Sequence, residues 1–269
     1  MIDSARLGQL PFRKGVRPLF FLAFWMMLSS GCEKSDIPEP ESDLIQITDY
    51  DGNTYYAKQI GDQWWMVNNL RSTHYSNGER IRKVESYFGW STLQAGDRAY
   101  CYYNNNQGDE ARIYGALYTW AAAVGGAIGS DENPSGIQGV CPEGWHLPSD
   151  EEWKELEIHL GMPHTEKDSE GIRGANVGSS LASSPHLWQD GYLKTNAAFG
   201  LSGFIAIPGG GRRYNGSFGH LGDNANFWTA SQKDIEKAWG RHIYSDYSSI
   251  HRYSNVKSDG FSVRCVKDE

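Results

Sequence analysis

The sequence predicts an α+β domain of short antiparallel strands, two short helices and long irregular loops. Three observations carry that reading. Glycine is abundant (31 of 269 residues), long helical periods are few, and nine of the ten tryptophans lie beyond residue 31, a composition that favours a loop-rich domain over a helical bundle. Tight-turn signals such as Asp51-Gly52 separate short apolar runs. One segment carries a complete helix signature, and it is short.

That segment begins after Pro148. Ser149 can cap the first turn, and Glu152, three residues on, can reach back to complete a capping box. Asp150, Glu151 and Glu152 put negative charge at the positive end of the helix dipole. Trp153, Leu156 and Leu160 make one apolar stripe, and Gly161 and Pro163 stop the helix. Trp153 is assigned to the core. His146, between Trp145 and Leu147, reads as a packed, hydrogen-bonded histidine, because no second ligand stands at a metal-site spacing from it.

The remaining elements follow in chain order. Residues 44–70 read as a β-hairpin entry with a tight turn at Asp51-Gly52. Its acidic turn has a calcium-loop look, but position 60, where a bidentate glutamate would close such a loop, is isoleucine. A second turn at Ile60-Gly61-Asp62-Gln63 leads into a buried strand through Trp64-Trp65-Met66-Val67. Apolar residues at 117, 120, 121 and 124 predict a second helix over 114–124, ended by Gly125-Gly126. Residues 165–220, rich in glycine, serine and asparagine, are predicted to be long loops, and loops of that length in a compact domain tend to be functional. Short strands are expected around Phe227-Trp228, 238–244 and 261–266.

Residues 1–31 read as a targeting segment. Arg6, Arg13, Lys14 and Arg17 form a basic region, and the apolar run from Leu19 to Leu28 is too short to span a bilayer comfortably. Ser29-Ser30-Gly31-Cys32 resembles a bacterial lipoprotein signal, with Ser29 where an aliphatic residue is usual; Cys32 is then the lipid attachment site. Residues 32–43 are acidic and proline-containing, which suits a flexible tether, and residues 44–269 form one domain. The expected location is the outer membrane, lipid-anchored and facing the cell surface. Removing residues 1–31 takes four basic residues from 25 and one acidic residue from 33, so 21 face 32 and the net charge is −11. Such a balance excludes nucleic acid as a partner.

Besides Cys32, the exported chain holds Cys101, Cys141 and Cys265. An oxidising compartment predicts at least one disulfide, while spacing leaves the pairing open.

Several motifs stand in a specific order: Asp51-Gly52-Asn53-Thr54-Tyr55; Ile60 to Met66 with Asn69-Leu70; Cys101-Tyr102-Tyr103-Asn104; Tyr114 to Tyr118; Cys141 to Trp153; Pro208-Gly209-Gly210; Phe227-Trp228-Thr229; and Ser262-Val263-Arg264-Cys265. In that order and spacing they resemble the Fibrobacter succinogenes major paralogous domain family, from about Thr48 to Asp268. The family is similar in turn to the C-type-lectin-like fold shared with formylglycine-generating enzymes. The resemblance implies a Cys141–Cys265 disulfide and leaves Cys101 free and buried.

It also implies a non-catalytic binding or adhesion module whose ligand is a carbohydrate or a surface protein. Within the region 165–225, Trp188, Tyr192, Arg212, Arg213, Tyr214 and Phe218 supply aromatic and guanidinium groups suited to stacking on sugar or gripping peptide. The calcium-binding motifs of lectins are missing, since Thr229-Ala230 follows Trp228, so no metal and no cofactor is expected. Formylglycine-generating chemistry needs neighbouring C-terminal cysteines, and Cys265 has no such neighbour. No Gly-x-Ser-x-Gly elbow occurs, and Gly209-Gly210-Gly211 runs into arginines, unlike a phosphate loop. The alternative is a structural component of a surface assembly.

Overall fold

The computed structural model describes residues 43–268. The targeting segment, Cys32 and nearly all of the tether lie outside the described residues. Among the described residues no helix is long and apolar enough to cross a membrane.

The chain opens with β1 (Leu44–Thr48), β2 (Thr54–Ile60) and β3 (Gln63–Met66), then β4 (Arg82–Lys83), α1 (Tyr87–Ser91), β5 (Ala99–Cys101), α2 (Asp109–Tyr114), β6 (Leu117–Tyr118) and α3 (Trp120–Ala123). Next come β7 (Trp145–His146), α4 (Asp150–His159), β8 (Gly171–Arg173), α5 (Val177–Leu181) and α6 (Tyr192–Thr195). The C-terminal part holds β9 (Gly209–Arg212), β10 (Phe218–Leu221), β11 (Asn224–Gln232), β12 (Lys237–Tyr244), β13 (Ile250–Val256) and β14 (Val266–Lys267). They form three sheets, ordered β1-β2-β3-β14-β7, β10-β9-β11-β12-β13-β8 and β4-β5-β6. Pairing is antiparallel except at β9–β11 and β4–β5. The domain is α+β, as the composition predicts.

The first hairpin forms as read. β1 and β2 pair from Leu44↔Lys58 to Thr48↔Thr54, and Gly52 takes the left-handed turn position at φ 79°. The carboxylates of this turn are taken up by the chain itself. Asp49 accepts from the Asn53 amide (2.8 Å), the Tyr55 hydroxyl (2.7 Å) and the Ser72 hydroxyl (2.5 Å).

α4 carries the predicted capping box: Glu152 N donates to Ser149 Oγ (3.2 Å) and Ser149 N to Glu152 Oε2 (2.9 Å). Glu152 does more than cap. Its Oε2 also accepts from Ser135 N (3.0 Å), and its Oε1 meets His146 Nε2 at 2.5 Å. His146 Nδ1 reaches Asp268 at 2.7 Å, which pins the C-terminal strand to the start of α4. Burial alone would lower the His146 pKa, but the two carboxylates raise it.

Cys141 is bonded to Cys265, 124 residues away, as the family resemblance implies. Cys101 is free and buried beside Trp90, Leu93 and Leu117, and burial pushes its thiol up to about 12.

Several expectations are overturned. The helix predicted over 114–124 is instead strand β6 followed by the single turn α3. Gly115 (φ 76°) breaks the run, Tyr118 N donates to Phe261 O (2.8 Å), and Thr119 starts a new helix by accepting from Ala122 N. All of Leu117 to Val124 is buried, so the apolar spacing reflects complete burial and carries no period. Residues 165–220 are not all loop; they contain β8, α5, α6, β9 and part of β10. These pieces of three to five residues are too short to show a period. The strand expected over 261–266 narrows to β14, with single bridges from Phe261 to Tyr118 and from Ser262 to Phe227.

α4 packs on the six-stranded sheet through apolar and ionic contacts. Trp65, Trp153, Phe204 and Phe227 form one aromatic cluster, with ring centroids 4.8 Å apart for Trp65–Trp153 and 5.7 Å for Trp153–Phe227. Beside it lies a buried ion network. Arg241 donates to Asp150 (2.7 Å) and Glu157 (2.6 Å), Arg252 to Asp150 (2.7 Å), and Arg173 to Glu157 (2.6 Å). Burial would raise the Asp150 carboxyl, yet Arg241 and Arg252 outweigh it and hold the group far below the usual carboxylate range.

Both the network and the disulfide can be weighed by denaturation. Arg241→Met leaves Glu157 and Asp150 short of a buried partner, and urea denaturation is expected to register a loss of about 3–5 kcal/mol. In the chain-entropy account, reducing Cys141–Cys265 or replacing both cysteines by serine costs about 4–5 kcal/mol for so long a loop, read as the difference between oxidised and reduced urea midpoints.

Candidate binding cleft

The six-stranded sheet has two unlike faces. Side chains alternate across a strand, so Arg241 and Ile243 of β12 and Ile250 and Arg252 of β13 point toward α4 or the core beneath it. The alternate residues, His242, Tyr244, His251, Tyr253 and Asn255, occupy the other face together with Asn226 of β11. The β9–β10 hairpin at the edge of the same sheet lines this face too, and together they enclose a cleft of about 330 Å³. That is near the small end of ligand-binding pockets, which run from about 300 to 1,000 Å³.

The floor is an ordered chain of hydrogen bonds. Asn226 Nδ2 donates to Gly210 O (2.9 Å), and His242 Nδ1 lies 2.8 Å from Asn226 Oδ1. Asn255 Nδ2 lies 2.9 Å from His242 Nε2 and donates also to Tyr253 O (3.1 Å). The asparagine atoms assign the tautomer: His242 carries its proton on Nδ1 and accepts at Nε2. Burial, helped by the neighbouring His251 and Arg241, pushes its pKa down to about 3, so it stays neutral. Both Asn255 amide protons are engaged, and Asn255 Oδ1, without a partner among the described residues, remains as an acceptor oriented by the relay beneath it.

The rim is aromatic and charged. Tyr214 stands 55% exposed at the hairpin tip, its amide donating to Asp259 Oδ1 (2.7 Å). Burial pushes the Asp259 carboxyl up to about 6, against the pull of that amide and of Arg213. Arg213 and Lys237 line the cleft mouth, Phe261 closes its inner end, and Tyr244 stacks on His242 with centroids 6.2 Å apart. Gly210, at φ 63°, lets β9 lie close against β10: a Cβ there would lie 2.6 Å from Gly219 O.

Of the residues singled out from sequence, Arg212, Arg213 and Tyr214 come together here. Tyr192 is 77% exposed on α6, away from the cleft lining. Arg212 spends its guanidinium on the chain itself, and Trp188 is buried outside the cleft lining. Trp188 is 3% exposed, its Nε1 donating to Ser183 O (3.0 Å). Arg212 is 1% exposed and donates to Val84 O (2.8 Å), Glu85 O (2.9 Å), Ser86 O (3.0 Å) and Gly216 O (3.1 Å). Its guanidinium sits between the Trp90 and Phe218 rings at 4.6 and 4.4 Å. These side chains hold loops that lack regular backbone pairing.

The model of the Fibrobacter succinogenes major domain matches residues 59–267. The chain belongs to the Fibrobacter succinogenes major domain family. Comparison with curated proteins and with solved structures finds no match. The matched span covers every cleft residue of this family member, and it includes Cys141, Cys265 and the α4 capping box.

The residues missed from sequence are Asn226, His242, Asn255 and Asp259. They are scattered along the C-terminal part of the chain and meet only through strand register: His242 pairs with His251 and Ala238 with Asn255 across β12–β13. The period-two spacing of His242 with Tyr244, and of His251, Tyr253 and Asn255, was the available signal.

Asp259 yields a pH prediction. Its folded-state pKa is raised from 3.8 to about 6, so the folded state binds this proton more tightly than the unfolded chain. The resulting destabilisation is complete above about pH 6, fades as pH falls through that value, and is gone below about pH 4. Asp259→Asn keeps an acceptor for Tyr214 and is expected to raise Tm on the order of a few degrees at about pH 7.5, with no gain at about pH 4, by thermal melts at both values.

Proposed function

We propose that this chain is a calcium-independent carbohydrate-binding lipoprotein of the cell surface, anchored in the outer membrane through Cys32 and without catalysis of its own. The observation that carries the reading is the relay ending at Asn255 Oδ1 beneath aromatic walls. A pyranose presents hydroxyl donors on its edge and C–H groups on its faces. An oriented neutral acceptor with a tyrosine at the rim matches both without a metal.

The same reading takes the domain as C-type-lectin-like. Support comes from the five-stranded sheet in which β3 and β14 bring early and late chain together, from the disulfide behind α4, and from a polar sheet face under long loops. Against an oxidase of the formylglycine-generating kind, Cys265 is bonded to Cys141 and Cys101 lies buried elsewhere.

A second reading, a structural part of a surface assembly, draws on β1. Its outer edge has no strand partner among the described residues, and its sequence, Leu-Ile-Gln-Ile-Thr, carries neither charge nor proline to block pairing.

A glycan array probed with the purified full chain, with and without chelator, separates these. The expected result is a specific signal that survives chelator and falls at least ten-fold in Tyr214→Ala and in Asn255→Ala. A blank array excludes the carbohydrate reading and leaves a protein partner or the assembly role.

A further inference from the structure

The cleft does not end at Tyr244. Beyond that ring the surface continues into a second solvent-open hollow of about 360 Å³, which shares Arg213, His220, Asn224 and Tyr244 with the first and adds Asp223, Asp246 and Tyr247. Tyr244 is the aromatic ring common to both. Its ring stacks on His242 on one side and meets Tyr247 edge-on at 6.4 Å on the other.

The second hollow is built, and its parts differ from the first. Tyr247 is exposed, but its ring is fixed by Tyr244 and by His251 at 5.0 Å. His251 is 2% exposed and neither ring nitrogen has a hydrogen-bond partner among the described residues. It touches Tyr244 (4.5 Å), Tyr247 and Tyr253 (6.0 Å). Leaving two buried ring nitrogens unpaired is destabilising, so the residue props three rings at a cost in stability. Burial holds its pKa down at about 4, which keeps the prop neutral.

The carboxylates divide their work. Asp223 is occupied by Ser245 Oγ (2.5 Å) and His220 Nδ1 (3.3 Å). Asp246 is exposed and its carboxylate has no hydrogen-bond partner among the described residues, so it offers an uncommitted acceptor beside the Tyr247 ring. The first hollow sets Asn255 Oδ1 against Tyr214; the second sets Asp246 against Tyr247. An acceptor and an aromatic ring thus line each hollow, and Tyr244 lines both.

We infer that the groove recognises the interior of a linear, neutral oligosaccharide, with at least two consecutive sugar units lying across Tyr244. This rests on the carbohydrate reading above. The acceptors, Asn255 and the uncommitted Asp246, suit hydroxyl donors, and two adjoining open hollows sharing Tyr244 suit a continuing chain better than a single terminal sugar.

The test is titration of the purified full chain with neutral gluco-, manno-, xylo- and N-acetylglucosamine-oligosaccharides of one to six units. For at least one series, affinity should rise ten-fold or more between one unit and three, then level off. Tyr247→Ala, at an exposed position and with Tm unchanged, should abolish that gain while leaving the affinity for one unit as it is. Equal affinity at all lengths, or a Tyr247→Ala loss that is the same for one unit as for three, overturns the two-compartment groove but leaves a sugar site intact. No binding by any series overturns both.

Discussion

The fold depends on buried guanidinium groups that satisfy polar atoms which sheets and helices would otherwise pair. A domain with strands of two to nine residues and helices of four to ten leaves many backbone carbonyls outside any ladder, and each costs free energy if buried unpaired. An arginine carries five donors in a fixed planar fork. Arg212 directs four hydrogen bonds at carbonyls of two separate segments. Arg264, fully buried, donates to Asn69 Oδ1 (2.9 Å) and to the carbonyls of Met66, Phe204 and Ile205. It faces no carboxylate among the described residues, and burial alone lowers its pKa to about 9. Charge is carried into the core there to collect carbonyls, and the Phe204 ring at 4.6 Å shields it. Ile205 holds φ 59°, a conformation costly for a β-branched residue, and Arg264 takes its carbonyl.

The ionic cluster under α4 obeys the same logic with carboxylates as acceptors. Replacing such a cluster by apolar groups is often neutral for stability, whereas removing one member is not. Its consequence here is positional. Arg241 and Arg252 lock β12 and β13 to α4 from one face, so the alternate residues on the other face are held in fixed register. Asn255 and Tyr244, held over the buried His242, thus present a rigid surface to solvent. The site inherits its rigidity from contacts made on the far side of the sheet.

Legibility from sequence tracked how local each interaction is. The capping box, the Asp51-Gly52 hairpin and the Trp153 stripe depend on residues close together in the chain, and all three appear as read. The disulfide was legible only through family resemblance, because 124 residues separate its ends. β9 carried no signal, since three of its four residues are glycine. Trp188 and Arg212 have the chemistry of ligand contacts, but in a loop-rich domain the same chemistry is needed inside. Composition could not tell an arginine that grips a ligand from one that grips carbonyls. Arg213, one residue on, points the other way because adjacent residues in β9 and its extension face opposite sides.

The polarity of the cleft floor follows from its depth. An ionised group at the His242 position would lose hydration with no opposite charge in contact, and burial drives the ring neutral instead. A neutral histidine can do only one thing at each nitrogen, so Asn226 and Asn255 are sorted in orientation: one accepts from it and the other donates to it. That sorting propagates outward and leaves an acceptor at the surface. A floor of this kind can select hydroxyl donors by direction rather than by charge, which makes the selection insensitive to salt. It can also present them a fixed acceptor without a metal, because the backbone carbonyl of Gly210 anchors the relay at its buried end.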